Sequence, residues 1–153
     1  MEKRTKCVII DDNTDFLFTM GTFLKRNGFD VFTAETGEKG FDLVLEKRPD
    51  LVLLDVMMET LFSGFEVCKK IRSHEDLKET PIIGISGMTE ELDIQYDKWP
   101  DWEYFKPDQF VDKPVDRDGL LGVIGNVLKT AEERRQRPKW RKVLDEKMEK
   151  EWA

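Results

Sequence analysis

LVLLDV, residues 51 to 56, is an apolar run broken by one carboxylate, and it reads as a strand buried on both faces. CVII, residues 7 to 10, has the same form and runs into Asp11 and Asp12. Between these two runs, Phe16, Leu17, Met20, Phe23 and Leu24 recur at helical spacing, and Gly28 stands where a glycine is expected just past a helix end. FDVFTA, 29 to 34, gives another strand, and Phe41, Val44 and Leu45 mark a helix that stops before Pro49, because the residue preceding a proline avoids the helical region. The spacing predicts a third helix from about Gly64 to Arg72, with Phe65, Cys68 and Ile71 turned inward. PIIGIS then supplies a fourth strand, and Phe110 with Val111 a short fifth one before Lys113 and Pro114. Leu120, Leu121, Ile124, Val127 and Leu128 share one face of a last helix.

Strands that alternate with helices imply a parallel sheet covered on both faces and joined by right-handed crossovers. The fold class expected is therefore α/β, a doubly wound five-stranded parallel sheet. The alternation fails in one place. MTEELDIQYDKWPDWEYFKPDQ, 88 to 109, is acidic, aromatic and twice interrupted by proline, so the expected fourth helix is short, over about 89 to 97, or replaced by loop. The glycines at 119, 122 and 125 weaken the last helix, by reason either of a close neighbour or of locally low propensity.

The chain has 153 residues and a net charge of −7, of which residues 132 to 153 carry +2 and the rest −9. An acidic body argues against binding DNA. No apolar run approaches the roughly 20 residues that span a bilayer, and the first residues lack the form of a signal peptide, so the expected location is cytoplasmic, with no membrane partner. Cys7 and Cys68 both sit in apolar patterns and read as buried thiols, and one histidine, His74, leaves no zinc set or histidine-based triad.

In an open parallel sheet the ligand lies beyond the carboxyl ends of the strands, where chain order reverses. That rule brings Asp11, Asp12, Asp55, Ser86 and Lys113 to one edge. Crowded carboxylates need a counter-charge, and oxygen ligands select a hard cation; Mg²⁺ fits best. An aspartate there can accept a phosphoryl group, with the metal and the lysine offsetting its charge.

VIIDD (8 to 12), LLDVMM (53 to 58), GFEVCKKIR (64 to 72), GISG (84 to 87) and DKPV (112 to 115) resemble the receiver domain of two-component response regulators over about residues 5 to 130. The resemblance implies the flavodoxin-like strand order 2-1-3-4-5. It implies Asp55 as the phosphoacceptor, and a Mg²⁺ site made by Asp11, Asp12, Asp55 and the main-chain carbonyl of Met57. Ser86 and Lys113 would contact the phosphoryl group, and Ser86 with Phe110 would form the activation switch. A sensor histidine kinase or phosphotransfer protein would be the donor and a downstream protein the target; the chain itself would be a signalling phosphoacceptor and not an enzyme. Two departures stand out: Glu59 replaces a usual proline, and METLFSG is about one residue longer than the family's loop.

The expected organisation is a stand-alone receiver over residues 1 to 131 and a charged extension over 132 to 153. In that extension Trp140, Val143, Leu144, Met148 and Trp152 share a helical face that can pack on its own domain, on a partner or on a second copy. A homodimer through the last helix or the extension is thus possible on pattern alone. A receiver cut from a longer chain is a second reading. A Mg²⁺-dependent phosphatase of similar fold is a third, weakened because Met57 stands where such enzymes carry a second aspartate.

Overall fold

The computed structural model describes residues 4–58, 63–87, 106–136 and 146–150. Five strands, β1 (Lys6–Ile10), β2 (Asp30–Ala34), β3 (Leu51–Asp55), β4 (Ile82–Ser86) and β5 (Gln109–Asp112), form one parallel sheet in the order β2-β1-β3-β4-β5. The helices among the described residues are α1 (Thr14–Arg26), α2 (Gly37–Lys47), α3 (Ser63–Ser73) and α4 (Arg117–Gln136), with a further helical stretch at 146–150. The doubly wound architecture and strand order expected from the sequence are what the structure has.

Local chemistry sets the helix ends. Asn13 caps α1 by accepting the Phe16 N–H, and Thr36 caps α2 by accepting the Lys39 N–H. Gly28, at φ +92°, takes the left-handed turn after α1 that a side chain resists. Ahead of Pro49, Arg48 adopts φ 48° and closes α2.

Alternation along the strands divides the core in two. On one face Cys7, Ile9, Leu53, Ile83 and Ile85 meet Leu17, Met20 and Leu24 of α1 and Leu120, Ile124 and Val127 of α4. On the other, Val8, Ile10, Val52, Leu54 and Ile82 meet Val44 of α2 and Val67, Cys68 and Ile71 of α3. Every residue of β3 and β4 is buried, so both strands are central, which is why their sequences do not alternate. β5 is a short edge strand whose ends are exposed.

Cys7 and Cys68 are buried free thiols, each pushed up to about 12 by burial, as inert core cysteines should be. Among the described residues nothing lies within 4 Å of an added Cβ at Gly122 or Gly125, so none of these residues is the close neighbour, and each glycine lowers helix propensity. The short helix expected over 89 to 97, the loop around Leu61 and Phe62, and most of the amphipathic tail lie outside the described residues. Met148, within 146–150, is 48% exposed.

At the amino end of the sheet a partly exposed ionic clamp joins β4 to β5. Asp108 Oδ2 accepts the Ile82 N–H at 2.8 Å and the Arg72 Nη2–H at 2.8 Å. The same guanidinium reaches the carbonyls of Lys78 and Thr80.

Candidate functional site

β1 and β3 run side by side with Ile10 opposite Leu54, so Asp11 and Asp55 emerge together at the carboxyl edge. Asp11 is fully buried, Asp55 is 4% exposed, and Asp12 faces solvent. Carboxylate oxygens of all three lie within 4.8 Å of one another. Such a cluster, two acids inside and one at the mouth, offers hard oxygen donors with open access on one side.

Lys113 comes from beyond β5 and reaches inward. Its Nζ donates to Asp11 Oδ2 at 2.9 Å and to Asp55 Oδ2 at 3.4 Å. The other oxygen of each acid is held by main chain: Asp11 Oδ1 accepts the Asn13 N–H at 2.9 Å, and Asp55 Oδ1 the Met57 N–H at 3.0 Å. Both carboxylates are thereby fixed in rotation before any ligand arrives.

One ammonium does not balance three carboxylates. Burial, followed by the negative charge of Asp11, pushes the Asp55 carboxyl up to about 6, against the pull of the Met57 N–H and of Lys113. For Lys113 burial works downward, but the hydrogen bond to Asp11 and the charge of Asp55 outweigh it and hold the ammonium above its usual range. A divalent cation among these oxygens supplies the missing positive charge, so the donor set fits Mg²⁺ by number, hardness and charge.

The remaining candidates stand nearby in different ways. Met57 follows Asp55 by two residues and is half-buried. Ser86, fully buried, ends β4, and its carbonyl accepts the Lys113 N–H at 2.9 Å, fixing the lysine's backbone beside the cluster. Phe110 sits one pleat back from that edge: it pairs in register with Gly84, and its ring lies where a side chain on Gly84 would be, 3.0 Å from an added Cβ.

Residues 7–124 match the family model described as the response regulator receiver domain. The chain belongs to the response regulator receiver family. This receiver is 32% identical over 119 residues to Protein PilG of Pseudomonas aeruginosa, covering 78% of the chain and 84% of that protein. It is 28% identical to Protein PilH of the same organism, covering 80% and 97% respectively. Among solved structures, the CheY-like response regulator receiver domain protein of Methanospirillum hungatei superposes with a TM-score of 0.74 at 22% identity, over 86% of this chain and 99% of that one. Among the described residues of the receiver no helix is long and apolar enough to cross a membrane.

Three participants in this receiver's site escaped the sequence pattern. Asn13 ties Asp11 to the start of α1; its position just before a helix is a legible cap signal, whereas its link to the acid cluster has no mark in the sequence. Ser63 Oγ accepts the Met58 N–H at 3.0 Å and so braces the segment after Asp55. Phe16, assigned by periodicity to the core, has its ring centroid 4.8 Å from Lys113 Nζ.

Proposed function

We propose that the chain works as a Mg²⁺-dependent phosphoacceptor in two-component signalling, with Asp55 receiving the phosphoryl group from a sensor histidine kinase or a phosphotransfer protein. The observation that carries this reading is Lys113 Nζ meeting both Asp11 and Asp55 inside a three-carboxylate cluster at the carboxyl edge of the sheet. Membership of the receiver family supports it further.

Asp11, Asp12, Asp55 and the Met57 carbonyl would hold Mg²⁺, which when bound neutralises the acids and offsets charge on the transferring group. An Asp55 carboxylate oxygen attacks phosphorus, and the bond from phosphorus to the donor breaks as the acyl phosphate forms. The Met57 N–H keeps the carboxylate oriented during attack. Lys113 pairs with the product phosphoryl group, and the Ser86 hydroxyl donates to it.

Output passes by protein contact to a downstream target, through a population shift in which Phe110 changes its packing against Gly84. The receiver proper takes in residues 1 to 131 and the extension 132 to 153, whose first residues continue α4. The last helix or that extension is the surface we assign to self-association, and the setting is cytoplasmic. As a phosphoacceptor the chain turns over no phosphomonoester.

Incubation with acetyl phosphate and MgCl₂, followed by intact-mass measurement, tests the assignment. Wild type should gain one phosphoryl group, and Asp55→Ala or addition of a chelator should abolish the gain. Equal labelling of wild type and Asp55→Ala refutes it.

A further inference from the structure

Lys113 is the only cation that touches the acid cluster among the described residues, and it arrives on a long, flexible stem with its side chain 28% exposed. An ammonium so placed can swing toward water unless a further contact restrains it. Phe16 is placed to restrain it: the ammonium lies over its ring, 4.8 Å from the centroid, within the range at which a ring face attracts a cation.

The position of the ring is itself fixed from the cluster. Asp11 Oδ1 accepts the Asn13 N–H, and Asn13 Oδ1 caps α1 by accepting the Phe16 N–H at 3.1 Å. Lys113 Nζ returns to Asp11 Oδ2. Asp11, Asn13, Phe16 and Lys113 thus close a circuit in which the acid that attracts the ammonium also orients the ring that flanks it.

We propose that Phe16 is a positioning residue for Lys113, holding its ammonium on the Asp55 side of the cluster and thereby setting the rate of phosphoryl uptake. This role rests on the phosphoacceptor reading above. Phe16 also packs against the core on the α1 face. A test must therefore separate apolar bulk from the ring's attraction for a cation. Leucine keeps much of the bulk and loses the quadrupole, whereas tryptophan keeps both and attracts a cation more strongly.

The experiment compares wild type, Phe16→Leu and Phe16→Trp, alone and on a Lys113→Met background. Two quantities are measured: the rate of phosphorylation by acetyl phosphate with saturating Mg²⁺, and the NMR shifts of the Lys113 side-chain methylenes without phosphodonor. Phe16→Leu should slow uptake about two- to tenfold, the range of a cation–π contact, and should abolish the ring-current displacement of the methylenes. Phe16→Trp should restore both, and on the Lys113→Met background the Leu and Trp variants should label at the same rate. The role is overturned if Phe16→Leu labels as fast as wild type, if Trp fails to rescue, or if the slowing persists without the lysine. Asp55-dependent labelling indifferent to residue 16 removes this role alone. Labelling that survives Asp55→Ala removes the phosphoacceptor reading, and the methylene shifts still report whether the ring holds the ammonium.

Discussion

Replacing Gly64 by alanine should displace α3 from the phosphoacceptor strand. A Cβ at this position would lie 2.3 Å from the Asp55 carbonyl oxygen and 2.3 Å from Val56 Cα. Carbon atoms rest at about 3.5 Å or more, so the helix start would have to retreat by roughly 1 Å. Backbone meets backbone here, so no side chain can swing away to make room. Overpacking of this kind costs about 1–3 kcal/mol, and weakening the bond from the Gly64 N–H to the Val56 carbonyl, 3.3 Å long, adds about 1 kcal/mol. Set against that is the alanine preference for helix, less than about 1 kcal/mol in the first turn, leaving a net loss of about 2–3 kcal/mol. With a urea slope of about 2 kcal/mol/M the midpoint should fall by roughly 1–1.5 M. Gly122→Ala is the same chemical change on an exposed face of α4 with nothing among the described residues within 4 Å, and it should raise the midpoint by about 0.3–0.5 M. Urea unfolding followed by far-ultraviolet dichroism measures both. A Gly64→Ala variant as stable as wild type, or a Gly122→Ala variant less stable, would refute the close-approach reasoning.

Because burial raises the Asp55 pKa from 3.8 to about 6, the metal-free protein should lose stability as pH rises from about 4 through 6, where the folded state must give up a proton the unfolded state has already released. Thermal melts should accordingly show Asp55→Asn more stable than wild type at pH 8 and nearly equal to it at pH 4, and calorimetry should find Mg²⁺ affinity climbing across the same interval. Lys113→Met leaves two adjacent buried carboxylates without their cation; allowing for the partial exposure of the lysine, about 2 kcal/mol should be lost in metal-free melts at pH 8 and largely recovered with Mg²⁺. Asp108→Ala strips the Ile82 N–H and the Arg72 guanidinium of their shared acceptor and should cost about 2 kcal/mol by urea unfolding, without altering Asp55 labelling beyond what stability explains.

Much of this architecture could be read in advance because two signals agree. Apolar runs such as LVLLD and CVII mark central strands whatever surrounds them, and each ends on the acids that the sheet edge gathers. Lys113 was legible through its neighbour Pro114 and its family likeness, not through any charge pattern. What stayed hidden depends on distance in sequence. The Arg72–Asp108 clamp spans 36 residues, and neither side chain carries a local mark of the pairing. Phe16 obeys helical periodicity perfectly well as a core residue, so its second contact, with Lys113, is invisible until the strands are laid side by side. Gly64 reads as a weak helix position and nothing in the pattern warns that Asp55 lies behind it. Gly122 and Gly125 leave two explanations open, and no described residue lies within 4 Å of either to supply the close neighbour.

β5 is moored at both ends by charge while its middle is only half-buried. The Asp108 mooring lies at the amino end, at the other end of the strand from the acid cluster, and shares no partner with Asp55 among the described residues. The Lys113 mooring crosses β4 to reach the two inner strands, and its bollards are the very carboxylates that a cation and a phosphoryl group would claim. An edge strand tied in this way has one fixed hitch and one slip-knot. Whatever changes the company Lys113 keeps must also change the tension on β5, and with it the seat of the Phe110 ring against Gly84.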